Sequence, residues 1–123
     1  MIRHILNHEY REIITNSFRY FLKYYIMKIM TESVHFTADQ KLIQFIENKL
    51  QKLERVYERI IDIHVILKLE SHQAVKDKIV EVQVHVPGGN IFARESSKAF
   101  ETSFELAMAA IKRQTIKFKM KSK

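Results

Sequence analysis

Two runs of alternating residues constrain the fold of this chain more than any other feature. Apolar side chains occupy every second position in residues 61–70 and again in residues 80–86, which is the period of a half-buried β-strand. The intervening residues 71–75 suit a hairpin loop, so we expect the two strands to pair in an antiparallel manner. The repeated apolar positions are Ile61, Ile63, Val65, Leu67 and Leu69 in the first run and Val80, Val82, Val84 and Val86 in the second.

The residues before this hairpin predict a strand followed by a helix. Residues 27–34 favour a short first strand, and Thr37 with Gln40 has the form of a capping box, which predicts a helix beginning at Thr37. Apolar residues then recur at helical spacing on one face. They are Leu42, Phe45, Ile46, Leu50, Leu53 and Tyr57.

The residues after the hairpin predict a turn, a fourth strand and a second helix. Pro87-Gly88-Gly89 contains the only proline and both glycines, so a sharp reversal is expected there, followed by a strand at residues 91–95. Ser96 or Ser97 can cap the second helix. Its apolar stripe comprises Phe100, Phe104, Ala107, Met108, Ile111, Thr115 and Phe118, and we expect these phenylalanines in the core rather than stacked on bases.

These elements give the order β-α-β-β-β-α. A sheet with one apolar face and two amphipathic helices predicts an α+β two-layer sandwich, in which both helices cover one face of a four-stranded sheet. The domain would span residues 27–123. Residues 1–26 are rich in aromatics and isoleucine, and two interpretations of them remain open: a short amphipathic helix, or upstream sequence joined by an early start codon, with Met27 or Met30 as the natural beginning.

Composition excludes several classes of function. The chain has 123 residues, no cysteine and a formal net charge of +7, so disulfides, thiolate metal sites and cysteine nucleophiles are absent. The lack of cysteine suits a reducing cytosol. No apolar run is long enough for a membrane-spanning helix. The positive charge makes a polyanionic partner plausible, either nucleic acid or an anionic membrane surface.

The strongest charge asymmetry lies at the end of the chain. Residues 112–123 contain Lys112, Arg113, Lys117, Lys119, Lys121 and Lys123 and no acidic residue. One interpretation is a solvated tail that also stabilises the helix dipole. Against it stand further cations, which would extend a phosphate-binding surface if they face the same way. These are Lys49, Lys52, Arg55 and Arg59 in and after the first helix, and Arg94 and Lys98 around the start of the second.

Nothing in the sequence indicates catalysis, a cofactor or a metal. His4 and His8 lie outside the predicted domain and lack the glutamate of a zinc protease motif. Alternation places His64 and His85 on the exposed face of the sheet. Gly88-Gly89 lacks the context of a phosphate-binding loop and is better explained as a turn.

Several motifs in order along the chain resemble one known family. They are SVHFTAD at residues 33–39, KLQKLERVY at 49–57, RI at 59–60, PGG at 87–89 and KRQ at 112–114, followed by Lys117 and Lys119. Together they are similar to the bacterial ribosome hibernation promoting factors, also called ribosome-associated translation inhibitor A or sigma-54 modulation proteins. The resemblance covers about residues 27–119 and is closest to the short form.

The resemblance implies a fold similar to a double-stranded-RNA-binding domain. It also implies a cytoplasmic, non-enzymatic protein that binds the small ribosomal subunit in the messenger and tRNA channel, inhibits translation in starved or stationary cells, and is monomeric off the ribosome. The matching basic positions are Lys49, Lys52, Arg113, Lys117 and Lys119, whereas Lys112, Arg94 and Lys98 are added from charge and placement.

One departure from the family and two other functions bear on this hypothesis. Many relatives carry an acid and a lysine where this chain has Ala109 and Ala110, so one phosphate contact is expected to be missing. A regulatory protein-interaction module, as the sigma-factor name suggests, is the alternative function. A membrane-surface protein that uses residues 1–26 is a third.

Overall fold

The computed structural model describes residues 27–72 and 75–121, without the side chains of His72, Val75 and Lys76. In this part of the chain the order is β-α-β-β-β-α, as predicted. The elements are β1 (Lys28–Val34), α1 (Gln40–Gln51), a 3-10 turn (Lys52–Arg55), β2 (Asp62–His72), β3 (Val75–Val86), β4 (Gly89–Ser97) and α2 (Phe100–Lys121). The hypotheses about residues 1–26 lie outside the described residues.

The four strands form one mixed sheet in the order β1-β2-β3-β4. β1 pairs with β2 in parallel, with Ile29 opposite Ile63, because α1 carries the chain back across the sheet between them. β2 pairs with β3 and β3 with β4 in antiparallel register. The hairpin prediction is therefore confirmed, although both strands extend into residues 71–75 and leave a shorter connection than expected.

Both helices pack on the same face of the sheet, which confirms the two-layer α+β sandwich. The four valines of β3 are fully buried against residues from both helices, including Ile46 and Leu50 of α1 and Phe104 and Ile111 of α2. The rings of Phe45 and Phe104 meet edge to face, with centroids 5.9 Å apart, and join the two helices. The opposite face, which we call the open sheet face, carries side chains such as His64, Glu81, His85, Phe92 and Arg94.

The prediction that α1 begins at Thr37 is wrong. Asp39 is the N-cap: it has an extended backbone, and its carboxylate accepts a hydrogen bond from the Lys41 amide at 3.1 Å. Asp and Thr both cap helices well, and here the chain turns into the helix only after Asp39. The predicted apolar stripe is nevertheless confirmed, with Leu42, Ile46 and Leu50 buried.

The turn between β3 and β4 consists of Pro87 and Gly88, and Gly88 has a φ of 84°. β4 is longer than predicted and includes both Ser96 and Ser97, so neither begins α2. Ser97 still supports the start of the helix, because its hydroxyl accepts a hydrogen bond from the Ala99 amide at 3.3 Å and lies 2.7 Å from the Ser103 hydroxyl.

Candidate nucleic-acid interface

The cations of α2 are exposed because the apolar stripe of this helix takes up the side that faces the sheet. Lys112, Arg113, Lys117, Lys119 and Lys121 are all exposed, and α2 contains no acidic residue after Glu105. Among the described residues, Lys112, Arg113 and Lys117 form no ion pair. Their charges are therefore available to a partner.

Two flanks of α2 carry these cations. Gln114 donates a hydrogen bond of 2.9 Å to the carbonyl oxygen of Phe92, which fixes one flank against β4. Helical spacing puts Lys117 and Lys121 on that flank. On the other flank, Lys119 donates to the carbonyl oxygen of Val56 at 3.2 Å, beside the segment that follows α1. Lys112 lies two turns before Lys119 on the same flank.

The exit from α1 joins this surface. The Tyr57 ring packs 6.2 Å from the Phe118 ring between centroids, so the 3-10 turn lies next to the C-terminal half of α2. The exposed cations of both segments thus occupy one end of the molecule, which we call the basic end, although Glu54 and Glu58 lie in the same connection. The basic end comprises Lys52, Arg55, Lys112, Arg113, Lys117, Lys119 and Lys121.

Lys49 lies in the last turn of α1, near the basic end but not free. Its ammonium group is 3.1 Å from a carboxylate oxygen of Glu105 and 5.4 Å from the centre of the Phe45 ring. The ion pair connects α1 to α2, and the side chain of Lys49 remains 39% exposed. Lys49 therefore holds the two helices together as well as adding positive charge beside them.

The structure does not bring Arg94 to the basic end. Arg94 lies on the open sheet face, on the other side of the sheet from the helices, because its neighbour Ala93 is buried beneath them. Its guanidinium group is 3.1 Å from Glu81, which also accepts a hydrogen bond from Lys68 at 3.2 Å. Arg94 is thus part of a cross-strand charge ladder that links β2, β3 and β4.

Lys98 is also separated from the other predicted contacts. It precedes α2 and lies 4.0 Å from Asp77, with 76% of its side chain exposed. With a rise of 1.5 Å per residue, α2 puts about 18 Å between its first residue and Lys112. A surface that uses the basic end does not include Lys98.

Two residues of the basic end were not among the predicted contacts. Lys121 could have been inferred from its position one turn after Lys117 on α2. Arg55 follows Lys52 within the 3-10 turn, and its sequence gave no signal for placing it beside α2, because that depends on the long-range contact between Tyr57 and Phe118.

The two sheet histidines lie where alternation predicted, on the open sheet face. His64 is 3.0 Å from Glu32, and His85 is 3.5 Å from Asp62, so each is paired with an acid on a neighbouring strand. Within the described residues, no group of three or more potential metal ligands comes together. Neither α1 nor α2 combines the length and apolar character that crossing a membrane requires.

A family model described as "Sigma 54 modulation protein / S30EA ribosomal protein" matches residues 29–123, which include every strand and helix described above. The chain belongs to this family. The match covers β1 through α2, so the basic end lies entirely within the family domain.

Known members of the family are similar in both sequence and structure. The chain is 32% identical over 80 residues to a ribosome hibernation promoting factor of Azotobacter vinelandii, covering 65% of this chain and 71% of the relative. It is 30% identical over 84 residues to the ribosome hibernation promoting factor of Salmonella typhimurium, covering 68% and 84%. A solved ribosomal subunit interface protein from Coxiella burnetii superposes with a TM-score of 0.66 at 25% identity, covering 75% of this chain and 97% of that one.

Within the family domain, Ala109 and Ala110 lie in α2 immediately before Ile111. Ala109 is exposed and Ala110 is half-buried. The outer surface of α2 is therefore smoother and less charged here than the family resemblance leads us to expect. The positive charge begins one turn later, at Lys112 and Arg113.

Proposed function

We propose that this protein is a ribosome-associated translation inhibitor that binds the small ribosomal subunit in the messenger and tRNA channel. It would promote ribosome hibernation in the cytoplasm of starved or stationary cells. Family membership and the names of the relatives support a ribosomal partner. The observation that carries the proposal is the basic end, in which the cations of α2 and of the turn after α1 are exposed on one side of the domain.

The basic end suits RNA because phosphates are spaced along a backbone that several cations can contact at once. Lysine and arginine contacts to phosphates supply affinity and fix orientation without reading sequence. Structured RNA is recognised largely by shape and backbone. Inhibition then follows from occupying the channel, so neither a catalytic residue nor a small-molecule substrate is needed.

Co-sedimentation with purified small ribosomal subunits tests this proposal. The variant Arg113→Glu/Lys117→Glu reverses two exposed cations of the basic end without touching the core, and we expect it to lose binding. The matched control Lys41→Glu/Lys98→Glu makes the same change in net charge at the opposite end of the domain, where both residues are exposed. We expect the control to bind as the unmutated protein does.

The two variants separate a local surface from a general charge effect. Equal loss of binding in both would mean that net charge alone attracts the protein to the ribosome. Unchanged binding of Arg113→Glu/Lys117→Glu, with native circular dichroism, would exclude the basic end as the contact. Inhibition of translation in a cell-free system should follow the same order as binding.

The alternative function is a regulatory protein-interaction module, and the words "Sigma 54 modulation protein" in the family description favour keeping it in view. Such a module would form a protein complex that survives nuclease treatment and high salt. A complex held by phosphate contacts would dissociate under those conditions. Affinity capture with and without nuclease therefore distinguishes the two functions.

A further inference from the structure

α2 carries a second apolar stripe on the side that faces away from the sheet. Leu106, Ile116 and Met120 are large apolar side chains that remain 47%, 48% and 68% exposed. Ala109 lies between them and is also exposed. Phosphate binding does not require apolar side chains at these positions, so the stripe calls for another explanation.

The spacing of the stripe matches a helix-packing seam. Thr102, Leu106, Ala109, Arg113, Ile116 and Met120 are separated alternately by four and three residues. This is the seven-residue repeat with which one helix packs along another. The buried stripe of α2, including Phe104 and Ile111, occupies the opposite side of the helix. One surface of α2 therefore packs on the sheet, and the other is available for a second helix.

We propose that this seam is a self-association surface, on which α2 of a second copy of the chain packs in antiparallel orientation. In a two-fold symmetric pair centred near Ile111, large residues meet each other at the sides of the axis, because Leu106 lies opposite the partner's Ile116. Long residues meet small ones elsewhere, since Arg113 lies opposite the partner's Ala109 and Met120 opposite the partner's Thr102. Such a contact is the same on both subunits.

The charges beside the seam favour the same arrangement. Glu105, Lys112 and Lys119 follow one edge of the seam, and Lys117 lies on the other. Antiparallel packing brings Glu105 next to the partner's Lys119 twice in each dimer, against one contact between the two copies of Lys112. Parallel packing would instead place Lys112 beside the partner's Lys117 twice and stack Arg113 on itself. Flanking charges of this kind set orientation in paired helices.

The consequence for function rests on the proposed RNA binding. Arg113 lies in the seam and Lys117 at its edge, so a dimer covers part of the basic end. RNA binding and self-association would then be mutually exclusive, and the free protein would store its RNA-binding surface in the dimer. Monomers would be released as ribosomal sites become available.

Sedimentation equilibrium measures self-association directly. The unmutated chain, of 14.7 kDa, should show an average mass that rises toward twice this value as concentration increases. The variant Leu106→Asn/Ile116→Asn should remain monomeric at every concentration. The control Met30→Asn/Phe92→Asn removes apolar side chains of similar exposure, 44% and 48%, from the open sheet face and should still dimerise.

Disulfide trapping tests the antiparallel geometry, and it is clean because the chain has no cysteine of its own. Thr102→Cys and Met120→Cys are made as separate variants and oxidised alone or mixed. Antiparallel packing predicts a cross-link mainly in the mixture, between one variant and the other. Cross-linking of each variant alone, with no gain on mixing, would indicate parallel packing and overturn this arrangement.

The outcomes are independent of the ribosome experiment. A mass that stays at the monomer value over the whole concentration range overturns self-association, whatever the protein does with small subunits. Dimerisation together with no small-subunit binding would leave the seam standing and remove the proposed function. If both hold, Leu106→Asn/Ile116→Asn should bind small subunits at least as well as the unmutated chain, because it no longer spends protein in the dimer.

Discussion

Phe104 and Phe92 show how differently the same side chain serves in this domain. Phe104 is fully buried between the helices, where its ring meets the edge of Phe45. Phe92 is 48% exposed on the open sheet face. The apolar stripe of α2 predicted the first environment from sequence, because neighbouring stripe positions share one helical face. The second depends on the phase of alternation along β4, which Ile91 and Ala93 set.

Replacing each phenylalanine by alanine should therefore have very different effects. Phe104→Ala removes a buried ring and leaves a cavity, so it should lower the free energy of unfolding by about 3–5 kcal/mol. Phe92→Ala should change it by less than about 1 kcal/mol. Urea unfolding followed by circular dichroism measures both. Similar losses for the two variants would contradict the assigned core.

Gly88 is the residue whose backbone most restricts substitution. Its φ of 84° lies in the left-handed region, and no atom would lie within 4 Å of an added Cβ. Any cost of a side chain there thus comes from the backbone rather than from crowding. Gly88→Ala should reduce the free energy of unfolding by about 1–2 kcal/mol, and Gly88→Asn by less, because Asn adopts this conformation more readily. Equal stability of Gly88→Ala and the unmutated chain would contradict this conformation of the turn.

The start of α1 shows where sequence stops being sufficient at the scale of an element. Thr37 with Gln40 and Asp39 with Lys41 offer two competing caps only two residues apart, and both residue types favour the N-cap position. Their choice depends on how the chain leaves β1, which residues 35–38 do not encode in any periodic pattern. The helix and its buried stripe were predictable, whereas its first residue was not.

Alanine substitutions distinguish the two caps. Asp39→Ala removes the carboxylate that accepts from the Lys41 amide, so it should cost about 1 kcal/mol of stability. Thr37→Ala leaves this cap in place and should change stability by less than about 0.5 kcal/mol. Thermal and urea unfolding of the two variants provide the comparison. A larger loss for Thr37→Ala would restore the capping box that the sequence suggested.

At the scale of the whole molecule, the fold sorts the cations into separate groups. The sequence predicted eight contacts from charge and resemblance, and five of them, Lys52, Lys112, Arg113, Lys117 and Lys119, come together at the basic end. Lys49 adjoins it, in an ion pair with Glu105. Arg94 and Lys98 lie elsewhere because β4 alternates between two faces and α2 then carries the chain to the other end of the sheet. Charge along a sequence does not reveal such separation, since it depends on which strands and helices become neighbours.

This separation should be measurable as a difference in salt dependence. Each phosphate contact that is lost should reduce the slope of log affinity against log salt concentration by about 0.7–0.9. We therefore expect Lys112→Gln and Lys117→Gln each to lower the slope for small-subunit binding, while Lys98→Gln leaves it unchanged. Arg94→Gln should also leave the slope unchanged, because its guanidinium group is paired with Glu81 on the other side of the sheet. A drop in slope for Lys98→Gln as large as that for Lys117→Gln would mean that RNA wraps around the domain instead of contacting one end of it.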